Sequence, residues 1–256
     1  MLLITCIFSS LLLAAFDLTN ERPGEGPLGV SLDYALATQG PGVVARPDVR
    51  RRTFPITVFS SYIKFKEDVS QITNGQLVQI ALDGYEEMER NAHEQYKAER
   101  QKDIPGVMTV LAYGNEIILG SSQKGGTSFT YDYGMNPVHK SLRECMGTTK
   151  HRTSGKCGEQ LVAHMYYRVN PEGAPGSIAL PERNARAITV GLVESDTPVA
   201  MNPCGKEGSL GCKTFVSHQK LHYLQKNTRP EKYDLDSLAG GVVEKKQLSI
   251  CGNVDV

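Results

Sequence analysis

Val107-Met108-Thr109-Val110-Leu111-Ala112-Tyr113-Gly114-Asn115-Glu116-Ile117-Ile118-Leu119-Gly120 carries the clearest β-signal in the chain. Two apolar runs flank a Gly-Asn pair, which predicts a hairpin with a tight turn. Upstream, Leu77, Ala81, Tyr85, Met88, Ala92 and Tyr96 recur at spacings of three and four. Such a stripe predicts a helix over about 73–102, stopped before Pro105. Further upstream, residues 54–65 (FPITVFSSYIKF) are rich in aromatic and β-branched residues and read as a strand. Downstream, residues 123–156 show no period and read as a long irregular connection.

Residues 157–169 (CGEQLVAHMYYRV) place Leu161, Val162, Met165, Tyr166 and Val169 on one face, predicting a helix that Pro171 ends. A strand is expected over 185–193, a polar turn then leads to residues 199–204, and a helix follows from Cys212 to about Lys226. Residues 241–243 and 248–251 are weaker strand candidates. This alternation predicts an α/β domain, a three-layer α/β/α sandwich around a mixed sheet.

Residues 1–15 (MLLITCIFSSLLLAA) read as a secretory signal peptide, too short to span a bilayer comfortably and ending at small residues. The expected localisation is therefore secreted, and no later stretch is apolar enough to suggest stable membrane association. Residues 16–72 form a Gly/Pro-rich leader in which Arg50-Arg51-Arg52 reads either as a pro-segment cleavage site or as an exposed basic turn. The main folded domain is expected over 73–256. With 28 basic and 28 acidic residues the formal charge is zero, so the chain as a whole has no pull toward nucleic acid or anionic membrane.

Of six cysteines, Cys6 leaves with the signal, and the five that remain cannot all pair within one chain. Cys157-Gly158-Glu159 opens a predicted helix behind the hairpin, and Pro203-Cys204 and Cys212 follow the next strand. In this order the residues resemble the cytidine-deaminase-like zinc deaminase superfamily, with its divergent secreted, toxin-like branches closest; the resemblance covers about 73–226. It implies Zn²⁺ held by Cys157, Cys204 and Cys212, with a fourth position for water and Glu159 as the proton shuttle rather than a ligand. A helix amino terminus at Cys157 favours the thiolate that zinc requires. Cys145 and Cys251 would then be left for one disulfide; two disulfides with a spare thiol is the alternative.

The family usually separates the second and third ligands by two residues, whereas residues 205–211 intervene here. The longer loop costs on the order of 1–2 kcal/mol, against roughly 10–16 kcal/mol offered by structural zinc. The activity implied is hydrolysis of the exocyclic amine of a nucleobase, cytosine ahead of adenine, in single-stranded nucleic acid or a nucleoside. For a toxin, an inhibitor partner is conceivable. Lys140, Arg143, Lys150, Arg152 and Lys156 before the site, and Lys213, Lys220, Lys226, Arg229 and Lys232 after it, can attract phosphates or serve as ordinary solvated surface. Tyr131 and Tyr133 can stack on a base or pack.

Two other readings compete. A thiol hydrolase pairing Cys157 with His164 on one helix would separate them by roughly 10 Å of rise, too far for a hydrogen bond. A metal-free, disulfide-stapled secreted binding or effector protein accounts for the cysteines but gives Glu159 and Pro203 no role.

Overall fold

A computed structural model describes residues 16–38, 55–126, 128, 136–146, 151, 153–192, 197–204 and 211–250. The signal segment 1–15, the Arg50-Arg51-Arg52 run, Tyr131, Tyr133, Lys150, Arg152 and Cys251 lie outside the described residues.

The hairpin forms as its sequence predicts. β3 (Val107–Tyr113) and β4 (Glu116–Ser121) pair antiparallel from Tyr113 opposite Glu116, and Gly114 adopts a φ of 50° at the turn. Along β3, alternate residues enter different cores, Met108, Val110 and Ala112 in one and Leu111 and Tyr113 in the other. β4 continues the sheet to β2 (Phe59–Phe65), and β3 continues it to β5 (Arg186–Gly191).

At one end of this sheet β2 pairs with both β1 (Ser31–Leu32) and β8 (Val242–Lys246). At the other, β5 pairs antiparallel with β6 (Val199–Met201) and parallel with β7 (His222–Tyr223). The eight strands thus form one mixed sheet. Among the described residues five α-helices accompany it: α1 (Tyr34–Thr38), α2 (Asn74–Arg90), α3 (Pro137–Met146), α4 (Gly158–Val169) and α5 (Cys212–His218). Leu77, Ala81, Tyr85 and Met88 of α2 join the first core. Val138 of α3, Leu161 and Tyr166 of α4, and Phe215 of α5 join the second.

α2 opens with a capping box: Thr73 Oγ1 accepts the Gln76 N–H, and Gln76 Oε1 accepts the Thr73 N–H. Its regular part stops at Arg90, short of the residue 102 its apolar stripe predicts, and a wider π-helical turn spans Asn91–Gln95. There the Asn91 carboxamide is held sideways, accepting the Leu32 N–H and donating to the Pro23 carbonyl. Lys97, with φ of 56°, then ends the helical path. Ala92 and Tyr96 stay fully buried, so the stripe reports their burial correctly while the winding differs.

Other expectations are corrected by tertiary contacts. The connection 123–156 contains α3. The helix expected over 212–226 stops at His218, because Lys220 turns left-handed (φ 51°) and the chain enters β7. Residues 248–250 form no strand; Leu248 N–H goes to Ser60 Oγ and Ile250 N–H to the Asp33 carboxylate.

Residues 16–38, which lack any sequence period, build β1 and α1 and bury Phe16, Leu28, Val30 and Leu32 in the α2 core. Their backbone finds side-chain partners on α2: the Glu87 carboxylate accepts the N–H groups of Leu28 (2.7 Å) and Val30 (3.0 Å). Among the described residues no helix is long and apolar enough to cross a membrane.

Candidate metal centre and adjoining cavity

Cys157 is the N-cap of α4, and its N–H is accepted by Gln160 Oε1 at 3.2 Å. Gly158 follows because the helix starts hard against β3: a Cβ there would overlap Thr109 Oγ1. The close approach sets Cys157 and Glu159 at the margin of the sheet. From the opposite direction, β5 and β6 lead to Cys204, while Cys212 is the first residue of α5. Lys213 N–H donates to the Cys204 carbonyl at 3.1 Å, tying the two cysteine segments together.

The three cysteines named from sequence meet in space, and His151 joins them. Cys204 Sγ lies 3.8 Å from Cys157 Sγ and 3.3 Å from Cys212 Sγ. His151 Nε2 lies 3.5 Å from Cys212 Sγ and 4.0 Å from Cys204 Sγ. All four ligand atoms fall within 4.8 Å of one another. Around tetrahedral zinc, bond lengths of about 2.3 Å to sulfur and 2.0–2.1 Å to nitrogen put sulfurs about 3.8 Å apart and sulfur and nitrogen about 3.5 Å apart. The donors therefore fit a metal ion, and thiolates with an imidazole are the chemistry of zinc. His151 has no sequence signature: it is a lone histidine in an aperiodic basic stretch.

The three thiols are coupled: contacts with Cys157 and then Cys212 push the Cys204 thiol's pKa down, the contact with Cys204 pushes Cys157 up, and contacts with Cys157 and then Cys204 push Cys212 up. Glu159 is 4 % exposed, and burial raises its pKa above the ordinary carboxylate value. Hydrogen bonds from its own backbone N–H, the Cys212 thiol and Thr189 oppose that rise. Tyr223 on β7 donates its hydroxyl to Glu159 Oε1 at 3.3 Å. Tyr223, like His151, escapes sequence reading, since only the parallel β5–β7 pairing carries it there.

A cavity of about 360 Å³ adjoins this group, within the range of small-molecule sites. Cys157, Cys204, Glu159 and Thr189 line it beside the apolar Val107 and Met201. Two cations lie on its wall: Lys124 is exposed, and Lys156 Nζ donates to the carbonyls of Gly125 and Gly126. Lys140, Arg143, Lys213, Lys220, Lys226, Arg229 and Lys232 are exposed and do not line it. A larger cavity, about 760 Å³, lies near Tyr113, Arg183 and Arg186 and contains no cysteine.

His164 is buried within α4, with its pKa lowered to about 4 by burial and, secondarily, by the Arg168 charge. The thiol nearest an imidazole is Cys212, which is fully buried, while Cys204, 4.0 Å from the same His151 Nε2, lines the cavity. Cys145 is half-buried and unbridged, its thiol 3.7 Å from the Leu142 carbonyl. Compared with protein-family models, curated proteins and solved structures, the chain has no match in any of the three.

Proposed function

We propose that the chain is a secreted zinc-dependent deaminase that hydrolyses the exocyclic amine of a nucleobase. The observation that carries this reading is the sharing of one cavity by Glu159 and the ligand thiols of Cys157 and Cys204. A structural metal site needs no buried carboxylate facing an adjacent cavity; a hydrolytic one does. The flanking helices on two cores of one mixed sheet agree with a three-layer, deaminase-like arrangement.

Cys157, Cys204 and Cys212 would hold the zinc, which when bound would supply Lewis acidity that brings the pKa of a water toward ~7. The remaining work falls to the chain. Glu159, desolvated and oriented by Tyr223, takes the proton of the attacking water and passes it to the ring nitrogen and then to the departing amine. Val107 and Met201 offer apolar contact to a base, and the Lys124 ammonium offers a partner to a phosphate at the mouth. The test is ammonia release and base conversion on cytosine and adenine nucleosides, single strands and duplexes, with Glu159→Gln as control. A control as active as the parent protein defeats the assignment.

A purely structural zinc site is the second reading, favoured by His151 Nε2 within the thiol cluster, because Cys₃His is a common closed composition. It forecasts zinc without ammonia release.

A further inference from the structure

The two nitrogens of His151 meet different neighbours. Gln160 Oε1 is engaged by the Cys157 N–H, which leaves the Gln160 Nε2 donors directed at His151 Nε2, 3.1 Å away. The single lone pair of Nε2 serves either the Gln160 donor or a cation among the sulfurs, and in both cases Nε2 carries no proton. The proton then belongs on Nδ1, which lies 2.9 Å from Thr153 Oγ1. The Thr153 N–H also points at Nδ1, at 3.2 Å, and favours a lone pair there, so the Nδ1–H tautomer is the one that a cation on Nε2 imposes. Thr153 Oγ1 lies a further 2.9 Å from Cys157 Sγ. The hydroxyl can thus accept Nδ1–H and donate its own proton to the Cys157 thiolate, supporting two ligands at once.

The backbone between them is built for this. Ser154 (φ 53°) and Gly155 (φ 74°) both take left-handed conformations. Ser154 N–H donates to the His151 carbonyl at 2.8 Å and Lys156 N–H to the Thr153 carbonyl at 3.2 Å. This tight turn brings His151 back over Cys157, and the imidazole is 2 % exposed.

We infer that His151 Nε2 is the fourth protein ligand of the metal, with Thr153 as its positioning residue, so that the resting site is a closed S₃N site without room for water. Resting on the deaminase reading, one consequence follows: the catalytic arrangement forms only when His151 is exchanged for water.

The coordination is tested on the zinc-loaded full-length chain by X-ray absorption. Three sulfurs near 2.3 Å and one imidazole nitrogen near 2.0–2.1 Å are expected; three sulfurs with a water oxygen and no imidazole overturn the inference. Cobalt-substituted protein gives an independent measurement. The visible bands of the parent should ignore azide, whereas those of His151→Ala should shift; equal responses overturn it. Thr153→Val should weaken zinc binding about 10–100-fold and Thr153→Ser should restore it. Ammonia release is read separately, and His151→Ala should exceed the parent. An S₃N site with no deamination by either protein defeats the deaminase reading and leaves the ligand assignment standing. Deamination by a parent protein with an S₃O site does the reverse.

Discussion

Tyr223 and Glu159, 64 residues apart in sequence, are joined by a 3.3 Å hydrogen bond from the phenolic hydroxyl to the carboxylate. Burial raises the pKa of each, so the pair favours a neutral phenol donating to a carboxyl group that holds a proton more readily than usual. Glu159→Gln is expected to lower deamination by 10²–10⁴-fold, the usual range for a general acid–base, with zinc content unchanged. Tyr223→Phe should cost about tenfold in kcat, the size of one hydrogen bond. Steady-state kinetics alongside metal analysis checks both, and an undiminished kcat in Glu159→Gln would falsify the role given to the carboxylate.

Zinc near one equivalent per chain is expected in protein purified without chelator. Cys204→Ser removes the sulfur that lies 3.8 Å from Cys157 Sγ and 3.3 Å from Cys212 Sγ, and should release the metal and lower the melting temperature. Atomic absorption with calorimetry reads both effects. A variant that keeps a full equivalent of zinc excludes Cys204 as a ligand.

His164 gives the protein an acid sensitivity of known sign. Its pKa falls from the ordinary 6.5 to about 4 on folding. Below pH 6.5 the unfolded chain takes up a proton that the folded chain refuses, so this contribution to stability is complete above pH 6.5 and declines as pH falls toward 4. The loss approaches about 3 kcal/mol. His164→Leu should lessen the decline between pH 7 and 4.5 relative to the parent in urea titrations; parallel pH profiles would refute it.

Glu87 anchors the extended segment 16–38 by accepting two buried backbone N–H groups. Glu87→Ala strands both donors and should destabilise the protein by about 2–4 kcal/mol. Limited proteolysis should then attack residues 16–38 well before α2. Equal cleavage rates in parent and variant would show that the segment is held by its apolar side chains alone.

Gly158→Ala tests why the Cys-Gly-Glu sequence has a glycine at its centre. The added methyl meets the Thr109 side chain, which is itself bonded to Thr189 Oγ1 at 2.7 Å. Overpacking of this kind costs about 1–3 kcal/mol. The start of α4 should move off the sheet, weakening zinc retention, and Gly158→Ala with Thr109→Ser should recover part of it. Zinc-competition titrations make the comparison; equal zinc affinity in Gly158→Ala and the parent refutes the packing role.

Much of this architecture was legible in the residues. The 3–4 spacing of Leu77 through Tyr96 names a buried helix face, because periodicity records which side of a local element avoids water, and the continuous apolar runs through Val107–Gly120 name strands buried on both faces. Cys157, Cys204 and Cys212 were legible as a group only through the resemblance to zinc deaminases that their order along the chain carries. The elements of residues 16–38 were not, since their backbone partners come from Glu87 and Asn91. The end of α2 was not, since Asn91 is committed to contacts with residues far upstream.

By itself, then, the sequence determined the principal helices and strands and the mixed α/β class, and by resemblance it singled out three cysteines and Glu159. The tertiary structure alone decided that His151 enters the cluster, that Tyr223 orients Glu159, and that residues 16–38 belong to the core. Local pattern reports how a segment meets solvent. Which side chains converge depends on the close approach of segments such as α4 against β3 at Gly158, and no period encodes that.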